Sequence, residues 1–408
     1  MGTVRFVTLG LVVLLAPALV SPAAAQGVGE DVPLVRMRDG HGSDLLFRLN
    51  PRTLQQVGRP IRTFRNGAGL GFSPDGRRIA YSGGRGRHSR IQLIDLGGWR
   101  SLGIAGLTGR GSLGVGWASD DRVVAWTQYA EPHRLFWIDA RTRRVVARRS
   151  VSGWAMSSVP VPGGLALSLA PREGVGPLRI ALAGPDGGLR IIRLEGILAG
   201  SDYDAPGGQV LTPAVTVDPA TGRIYVVAAR GLLVADVDVS SGAVSYHSLG
   251  ASASKGNVDV WWRTAAWAGD GRIAVTGDHW PPVRGRSYDG PVPFGVRIID
   301  TRTWSIATLD PRPDSMHVAG GTVLAAGTRW FDGARRSEST GLLAFDQAGR
   351  RTFTRFRGLP VALLGSRGRL GYAWVRRTRT AHVIDLDSGR TLNTIRTGNR
   401  IPSLLSPP

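Results

Sequence analysis

Apolar residues recur along the chain in short, strand-like runs, most of which end in an aspartate. The clearest runs are Ile91–Asp95, Leu135–Asp139, Val296–Asp300 and Val383–Asp385, with close variants at Leu232–Asp236 and Gly341–Asp346 and weaker copies at Leu45–Asn50 and Leu178–Leu182. No segment shows a sustained helical period, so the pattern predicts β-strands. Most successive runs are about 40 to 50 residues apart, a spacing typical of repeat architectures.

A second pattern precedes several of these runs: a turn followed by an apolar strand, as in Ser73–Tyr81, Asp218–Val226 and Gly269–Val275. Proline fixes φ at the first central position of a turn, and glycine readily adopts the positive φ that a later position requires. Each unit then reads as strand A, turn, strand B, loop, strand C, aspartate turn, strand D. The pattern predicts an all-β chain: a single β-propeller of about eight four-stranded blades, or seven if one weak copy is an insertion.

The first unit offers three strands, at Val32–Met37, Asp44–Leu49 and Leu54–Val57. The tail Ile401–Ser406 could supply the missing innermost strand. We therefore expect the N- and C-terminal strands to close the ring, which removes exposed sheet edges.

Two segments carry a family resemblance. Phe72–Tyr81, followed by Ile91–Asp95, resembles the WD40-like repeat of TolB-type periplasmic propellers, and Asp218–Val226 is similar to YncE-like secreted bacterial propellers. The Gly-His and Trp-Asp pairs of true WD40 repeats do not recur. The resemblance implies a binding platform in the cell envelope and no particular ligand.

Composition limits the function classes. Glycine (57 of 408 residues) marks a turn-rich chain, and the near-zero mean hydropathy of −0.03 excludes a polytopic membrane protein. The net charge of +21 comes almost wholly from arginine, because Lys255 is the only lysine. The arginines are spread along the chain and the N-terminus looks like an export signal, so we expect no nucleic-acid partner. Attraction to an anionic envelope component remains open.

The N-terminus predicts export. Arg5, the apolar run Phe6–Val20 and the small residues before Gln26 fit a signal peptide of residues 1–25, cleaved after Ala25. A retained anchor is the alternative. We expect residues 26–408 to form one propeller domain, periplasmic or extracellular and monomeric, without a transmembrane span after cleavage. The chain has no cysteine, so its stability must come from the core.

Propeller connectivity places the B–C loops and the D–A loops on one surface, which we call the B–C/D–A face. The long predicted loops are on this face: Ser82–Arg90, Thr127–Arg134, Leu198–Pro213, Gly250–Asp259, Gly277–Gly295 and Thr328–Gly341. Loops on a rigid scaffold commonly carry function. The candidate ligand- or partner-binding residues are Glu131, His133, Asp202, Asp204, Asp278, His279, Trp280, Arg284, Arg286, Tyr288, Asp289 and Trp330.

The sequence predicts no catalytic residue, no metal site and no cofactor. Asp278 and His279 are adjacent, and neighbouring side chains of a strand point to opposite faces. No nucleophile elbow and no histidine pair at zinc-ligand spacing occurs. Asp236–Gly242 superficially resembles a calcium loop but lacks its glycine and closing glutamate, so we interpret it as a C–D turn.

Two side-chain groups have structural interpretations. Arginines on outer strands are expected to block strand addition by other chains. These are Arg141, Arg143, Arg144, Arg148, Arg149, Arg350, Arg351, Arg355, Arg357, Arg376, Arg377 and Arg379. Trp261, Trp262 and Trp267 are expected to pack between blades.

Two functions remain. The first is an exported, non-catalytic propeller that binds an unknown protein or an anionic envelope component. The alternative is a propeller enzyme, a hydrolase or lyase with its site on the B–C/D–A face. The sequence favours the first and does not exclude the second.

Overall fold

The computed structural model describes residues 34–37, 45–64, 69–85, 88–108, 113–127, 133–202, 209–250, 259–280, 292–331, 336–397 and 403–405. These residues form 34 β-strands and no helix. The prediction of an all-β chain is therefore confirmed. None of the described residues belongs to a helix that could cross a membrane.

Six sheets have four antiparallel strands each. The first combines β1 (Leu34–Met37), β2 (Leu45–Leu49) and β3 (Ile61–Arg62) with β34 (Ser403–Leu405). The next two are β4 (Gly69–Phe72), β5 (Arg78–Arg85), β6 (His88–Asp95) and β7 (Arg100–Thr108), and β8 (Leu113–Ser119), β9 (Arg122–Thr127), β10 (His133–Asp139) and β11 (Val145–Val151).

The other three four-stranded sheets lie in the second half of the chain. They are β17 (Ala214–Val217), β18 (Ile224–Val227), β19 (Leu233–Val237) and β20 (Val244–Ser248); β26 (Ser315–Ala319), β27 (Thr322–Phe331), β28 (Arg336–Phe345) and β29 (Arg351–Arg355); and β30 (Val361–Arg367), β31 (Leu370–Val375), β32 (Thr380–Asp385) and β33 (Thr391–Arg396).

A seventh sheet has ten strands. It contains β12 (Trp154–Val161), β13 (Gly164–Ala170), β14 (Gly174–Ala183), β15 (Leu189–Asp202), β16 (Gln209–Thr212), β21 (Asp259–Gly269), β22 (Arg272–Trp280), β23 (Val292–Pro293), β24 (Val296–Asp300) and β25 (Ser305–Asp310). The described residues thus form six four-stranded sheets and one ten-stranded sheet, not the predicted eight or seven separate four-stranded blades. The reason is β16, which pairs with β15 antiparallel and with β21 parallel and so joins two groups of strands.

The first strands of successive units contact one another around a centre. β4 contacts β8, β8 contacts β12, β12 contacts β17, β17 contacts β21, β21 contacts β26, β26 contacts β30, and β30 contacts β34. The core lies between neighbouring sheets. Trp117 and Val123, for example, pack with Ile91 and Leu93 of the preceding sheet. This radial arrangement of sheets is that of a single β-propeller.

The terminal strands depart from the prediction in one detail. The third strand of the first sheet is Ile61–Arg62 and not Leu54–Val57, where only an isolated bridge joins Leu49 and Gln56. The tail strand β34 pairs antiparallel with β1, and Val35 faces Leu405.

The aspartates of the repeat cap the C–D turns. The carboxylate of Asp139 accepts the backbone N–H of Thr142 at 2.7 Å, and that of Asp385 accepts the N–H of Ser388 at 2.8 Å. These hydrogen bonds lower the pKa of both carboxyls. The carboxylate of Asp238 accepts hydrogen bonds from the hydroxyl and the backbone N–H of Ser240, and these lower the pKa of Asp238 to about 2. The segment resembling a calcium loop is therefore a turn between β19 and β20.

Several predicted loops are partly strands. Ser82–Arg85 extends β5, Gly277–Trp280 extends β22, and Thr328–Phe331 extends β27. The same holds for Leu198–Asp202 at the end of β15. The polar and apolar residues at the ends of these hairpins do not alternate cleanly, so the sequence pattern predicts loops. In the structure, backbone pairing continues beyond the apolar part of each strand.

The outer strands carry exposed arginines, as expected. Arg148 and Arg149 are exposed on β11, and Arg351 begins β29. Arg376 and Arg377 were expected on an outer strand, but they lie in the turn between β31 and β32. In that position they cannot protect a sheet edge.

Candidate functional site

The structure describes the side chains of three predicted site residues. His133 begins β10, Asp202 ends β15 and Asp278 lies near the end of β22. His279, Trp280 and Trp330 lie in strands β22 and β27, where the structure describes their backbone. The remaining candidates lie outside the described residues: Glu131, Asp204, Arg284, Arg286, Tyr288 and Asp289.

His133 and Asp202 have local surroundings of their own. His133 is 2% exposed, and its Nδ1 lies 2.5 Å from the carbonyl oxygen of Thr127. This contact ties the two ends of the β9–β10 connection together. Asp202 is half-buried and pairs with Gln209 across the β15–β16 ladder. His133 lies in a different sheet from Asp278, whereas Asp202 shares the ten-stranded sheet with Asp278 and is separated from it by β16 and β21.

The base of the Gly277–Gly295 connection is ordered by backbone pairing. Asp278 pairs with Pro293 across β22 and β23, and the N–H of Phe294 donates to the carbonyl of Gly277 at 2.8 Å. Gly277 and Gly295 have φ of +150° and +78°. A Cβ at Gly277 would collide with the carbonyl oxygen of Trp262, so glycine permits this close approach.

Two arginines stack on the ring of Phe294 at this base. The guanidinium carbon of Arg263 lies 3.8 Å from the ring centroid, and that of Arg297 lies 4.0 Å from it. Both guanidinium groups therefore lie against the same aromatic ring. Arg263 also lies 5.4 Å from the ring of Trp261. The result is a cationic cluster of Arg263, Phe294 and Arg297.

Arg263 is a deeply buried cation. It is 6% exposed, its Nη1 donates to the Trp262 carbonyl at 3.2 Å, and its Nε has no hydrogen-bond partner. Loss of hydration lowers its pKa to about 9, and repulsion from Arg297 adds to this shift. Burial also lowers the pKa of Arg297. An uncompensated buried charge is costly.

Asp278 is the carboxylate that acts on this cluster. It is 7% exposed, and its attraction opposes the lowering of the Arg263 pKa. This attraction acts on Arg263, whereas the shift of Arg297 has burial as its cause. In the part of the chain that the structure describes, neither arginine has an ion pair. The cluster keeps an excess of positive charge and an unused N–H donor.

A neighbouring charged group shows the contrast. Asp310 is 3% exposed and accepts two hydrogen bonds from the Arg312 guanidinium, at 2.9 and 2.7 Å, one from the Arg312 backbone N–H at 3.0 Å and one from Arg351 at 2.8 Å. Its pKa is lowered by these partners, although burial works against the shift. The buried charge of Asp310 is compensated by two arginines, whereas the buried charge of Arg263 has no ion pair among the described residues.

Two further titratable groups lie at the start of β26. Burial raises the pKa of Asp314 to about 6, although the backbone N–H of Thr328 and the Ser315 side chain donate to it. Burial lowers the pKa of His317 to about 4. Both side chains retain partial exposure beside the inner strands. A carboxyl with a pKa near neutrality is suited to proton transfer.

Sequence reasoning missed Arg263, Phe294, Arg297 and Asp314. One signal was present for Arg263: it interrupts the apolar strand Asp259–Gly269 at a position that alternation assigns to the interior. Phe294 and Arg297 carried no such signal, because their stacking depends on the path of the preceding connection.

Comparisons with known proteins support the fold. No protein-family model and no curated protein matches the chain. Among solved structures, the dihydro-heme d1 dehydrogenase NirN is similar, with 15% identity over 91% of this chain and 74% of NirN and a TM-score of 0.59. Apo AztD from Citrobacter koseri has 12% identity over 91% and 96% of the two chains and a TM-score of 0.53. Saccharomyces cerevisiae Sqt1 has 10% identity over 82% and 86%, with a TM-score of 0.52.

The chain has the β-propeller fold. Identities this low establish the fold alone, and the resemblance to WD40-like and TolB-type propellers is confirmed at that level. What these proteins bind or transform does not carry over through the fold.

Proposed function

We propose that this propeller is a non-catalytic binding protein whose B–C/D–A face holds an anionic group at the Arg263 cluster. One observation carries the proposal: Arg263 and Arg297 flank the Phe294 ring at 3.8 and 4.0 Å with the Nε of Arg263 unpartnered. The ligand class is a carboxylate, phosphate or sulfate group, since guanidinium groups match the oxygens of these anions.

The energetics support an anion at this place. A buried charge that lacks a partner costs several kcal/mol, and an added anion would recover part of that cost. The aromatic ring holds both guanidinium planes, so little conformational entropy is lost when a ligand arrives. Asp278 limits the excess charge without cancelling it, which favours reversible binding.

The position agrees with the surface expected to carry function. Phe294 and Trp267 both pack against a core cluster shared with the β17–β20 sheet. Arg263 lies in the first half of β21 and Asp278 near the end of β22, and Phe294 lies between β23 and β24. Arg284, Arg286 and Tyr288, which lie outside the described residues, are proposed as further contacts on the same connection.

We propose that the protein works outside the cytoplasm, with residues 1–25 removed as a signal peptide. The supporting features are the apolar run Phe6–Val20 and the small residues before Gln26. The net charge of +21 would attract anionic envelope components toward the face. The bound anionic group would then belong to such a component or to a protein partner.

We also propose that the terminal strands close the propeller. The support is the pairing of β34 with β1 and the position of β2, whose side chains reach two other sheets. A closed ring would hold the B–C/D–A face rigid and keep the cationic cluster preorganised.

Asp314 favours a second candidate function. A carboxyl with a pKa of about 6 could act as a general acid or base in a hydrolase or lyase on this same face. No nucleophile or second acid is assigned to it. Replacing Asp314 by asparagine would abolish turnover in an enzyme and leave anion binding intact.

The proposal is tested by the anion dependence of stability. Phosphate and sulfate are titrated against chloride at equal ionic strength while chemical unfolding is followed. For the natural sequence, the free energy of unfolding should rise by about 1.4 kcal/mol for each tenfold increase in anion above the Kd.

Two variants make the test specific. Arg263→Met should abolish the rise, and in chloride alone it should be at least as stable, because it removes an uncompensated buried charge. Arg377→Gln removes an exposed arginine from a B–C turn and should keep the rise. A rise that survives Arg263→Met would contradict the proposal.

A further inference from the structure

A second candidate ligand site lies along the inner strands of the first half of the ring. A cavity of about 400 Å³ is bounded by β4, β8 and β12 and reaches Val217 at the end of β17. These strands are distinct from β21 to β24, which hold the Arg263 cluster. The cavity is therefore independent of the proposed anion site.

Glycines leave its walls flat. Gly69 and Gly71 on β4 and Gly114 and Gly116 on β8 all line the cavity. A Cβ at Gly71 would lie 3.0 Å from the Val115 carbonyl oxygen, and one at Gly116 would lie 2.8 Å from Leu165. The missing side chains allow the inner strands to approach each other, and the four glycines contribute no side chain to the lining.

The rim is stiff and mostly apolar. Five prolines surround the cavity: Pro74, Pro160, Pro162, Pro185 and Pro219. Their fixed φ angles reduce the ordering cost of binding. Asp120 is the ionisable residue of the described lining, and its carboxylate accepts the N–H of Asp75 at 2.9 Å. Arg78, which is outside the lining, donates to the Asp120 carbonyl at 2.9 Å and pairs with Asp121. None of the described lining residues is a cation, which disfavours an anionic ligand.

Trp126 supplies an unused hydrogen-bond donor. It is 5% exposed and lines the cavity, and its Nε1 has no hydrogen-bond partner. Trp126 pairs directly with Gly114 across β8 and β9. A Cβ at Gly114 would collide with the indole, including its Nε1. The indole therefore lies over the inner strand at Gly114, and Trp126 is one of the residues that line the cavity.

We propose that this cavity binds a small, flat, uncharged molecule that accepts a hydrogen bond from Trp126 Nε1. The volume suits a ligand of one to three fused rings, at the lower end of the range for small-molecule pockets. Flat glycine walls fit a planar ring system, and an acceptor atom would satisfy the buried indole N–H, which otherwise costs about 1 to 3 kcal/mol.

The test compares two probes of similar size. Coumarin is flat, uncharged and carries a carbonyl acceptor, whereas naphthalene has no strong acceptor. Binding to the natural sequence is followed by quenching of tryptophan fluorescence and by the thermal unfolding midpoint. We expect coumarin to bind more tightly than naphthalene by about fivefold, the value of one hydrogen bond.

Two variants assign the binding to the cavity. Trp126→Phe keeps an aromatic ring and removes the N–H, so it should remove the preference for coumarin and leave naphthalene binding unchanged. Ser158→Trp places bulk in the lining and should abolish binding of both probes. Thermal unfolding in buffer shows whether each variant is folded.

Three outcomes would overturn the inference: no coumarin binding by the natural sequence, an unchanged coumarin preference in Trp126→Phe, or unchanged binding of both probes in folded Ser158→Trp. The phosphate dependence of stability should be the same in all of these variants. A failure here is therefore separate from a failure of the proposed anion site.

Discussion

Leu46 and Phe47 are neighbours in β2, yet their side chains pack on two different sheets. Leu46 joins Phe72 and Tyr81 of the β4–β7 sheet, whereas Phe47 joins Tyr372 and Trp374 of the β30–β33 sheet. Alternation along a strand sends successive side chains to opposite faces. The side chains of β2 therefore contact both the β4–β7 sheet and the β30–β33 sheet.

This position leads to a prediction for the C-terminal strand. Deleting residues 398–408 removes β34, which leaves three positions of β1 without their partners. The free energy of unfolding should fall by about 2 to 4 kcal/mol, because unpaired backbone groups lose their hydrogen bonds. Deleting only 406–408 leaves β34 in place and should have little effect. Equal stability of the two truncations in urea unfolding would argue against closure by β34.

A buried indole joins two successive sheets. Trp117 is 2% exposed, and its Nε1 donates to the carbonyl of Gly71 at 2.9 Å, across 46 residues of sequence. Trp117→Phe should lower the free energy of unfolding by about 1 to 3 kcal/mol, through the unsatisfied carbonyl and the lost volume. Trp99→Phe is the control, because the Trp99 bond to the Arg59 carbonyl is exposed. A smaller loss of stability in Trp117→Phe than in Trp99→Phe would contradict the stabilising role of the Trp117 hydrogen bond.

Gly277 is predicted to be required for the cationic cluster. Gly277→Ala forces a side chain into a positive φ of +150° and against the Trp262 carbonyl, next to Arg263. Stability should fall by about 1 to 3 kcal/mol, and phosphate stabilisation should weaken. Gly106→Ala, where a Cβ has open space, is the matched control. Urea unfolding with and without phosphate measures both effects.

The acid dependence of stability contains two opposing contributions. Asp314 has a raised pKa of about 6, so the folded state binds its proton more tightly and stability rises as the pH falls through 6. His317 has a lowered pKa of about 4, so the unfolded state gains a proton first and stability falls as the pH drops below the ordinary histidine value. The two contributions nearly cancel between about pH 4.5 and 6.

Single variants should expose each contribution. Asp314→Asn should become less stable as the pH falls across this window, and His317→Gln should become more stable. Each slope should amount to about 1 to 2 kcal/mol across the window. Chemical unfolding at several pH values measures the slopes. Parallel slopes in the two variants would contradict the opposite signs.

Much of the fold follows from the sequence because its signals are local. The C-strand segments at Ile91–Asp95 and Val296–Asp300 form as predicted, since the aspartate and the following turn residues hydrogen-bond within a few positions. The merging of two groups of strands through β16 was not predictable. It depends on parallel pairing of Val210 with Val260, residues that no turn motif connects.

The tryptophan strand shows the same limit. Trp261 is 7% exposed and Trp267 stacks on Tyr225 with centroids 5.6 Å apart, so these two pack between sheets as expected. Trp262 is 38% exposed, so the expectation was wrong there. Trp261 and Trp262 are adjacent, so their side chains point to opposite faces of the sheet. Near the start of β21 the face that carries Trp262 is open to solvent.

The candidate site was predictable only in outline. Asp278 was identified because it borders a long connection rich in polar residues. Arg263 precedes Phe294 by 31 residues, and their contact arises when β22 and β23 pair at the base of that connection. Sequence patterns report periodicity within a strand and carry no information on which ring a distant arginine will stack against.

The central claim is that the Arg263 cluster holds an anion, and crystals soaked in selenate test it most directly. Selenate is an analogue of sulfate, and its selenium can be located by anomalous scattering. The account predicts an anomalous peak within hydrogen-bond distance of Arg263 Nε in the natural sequence and none in Arg263→Met. An empty Arg263 site in crystals whose other arginines bind selenate would contradict it.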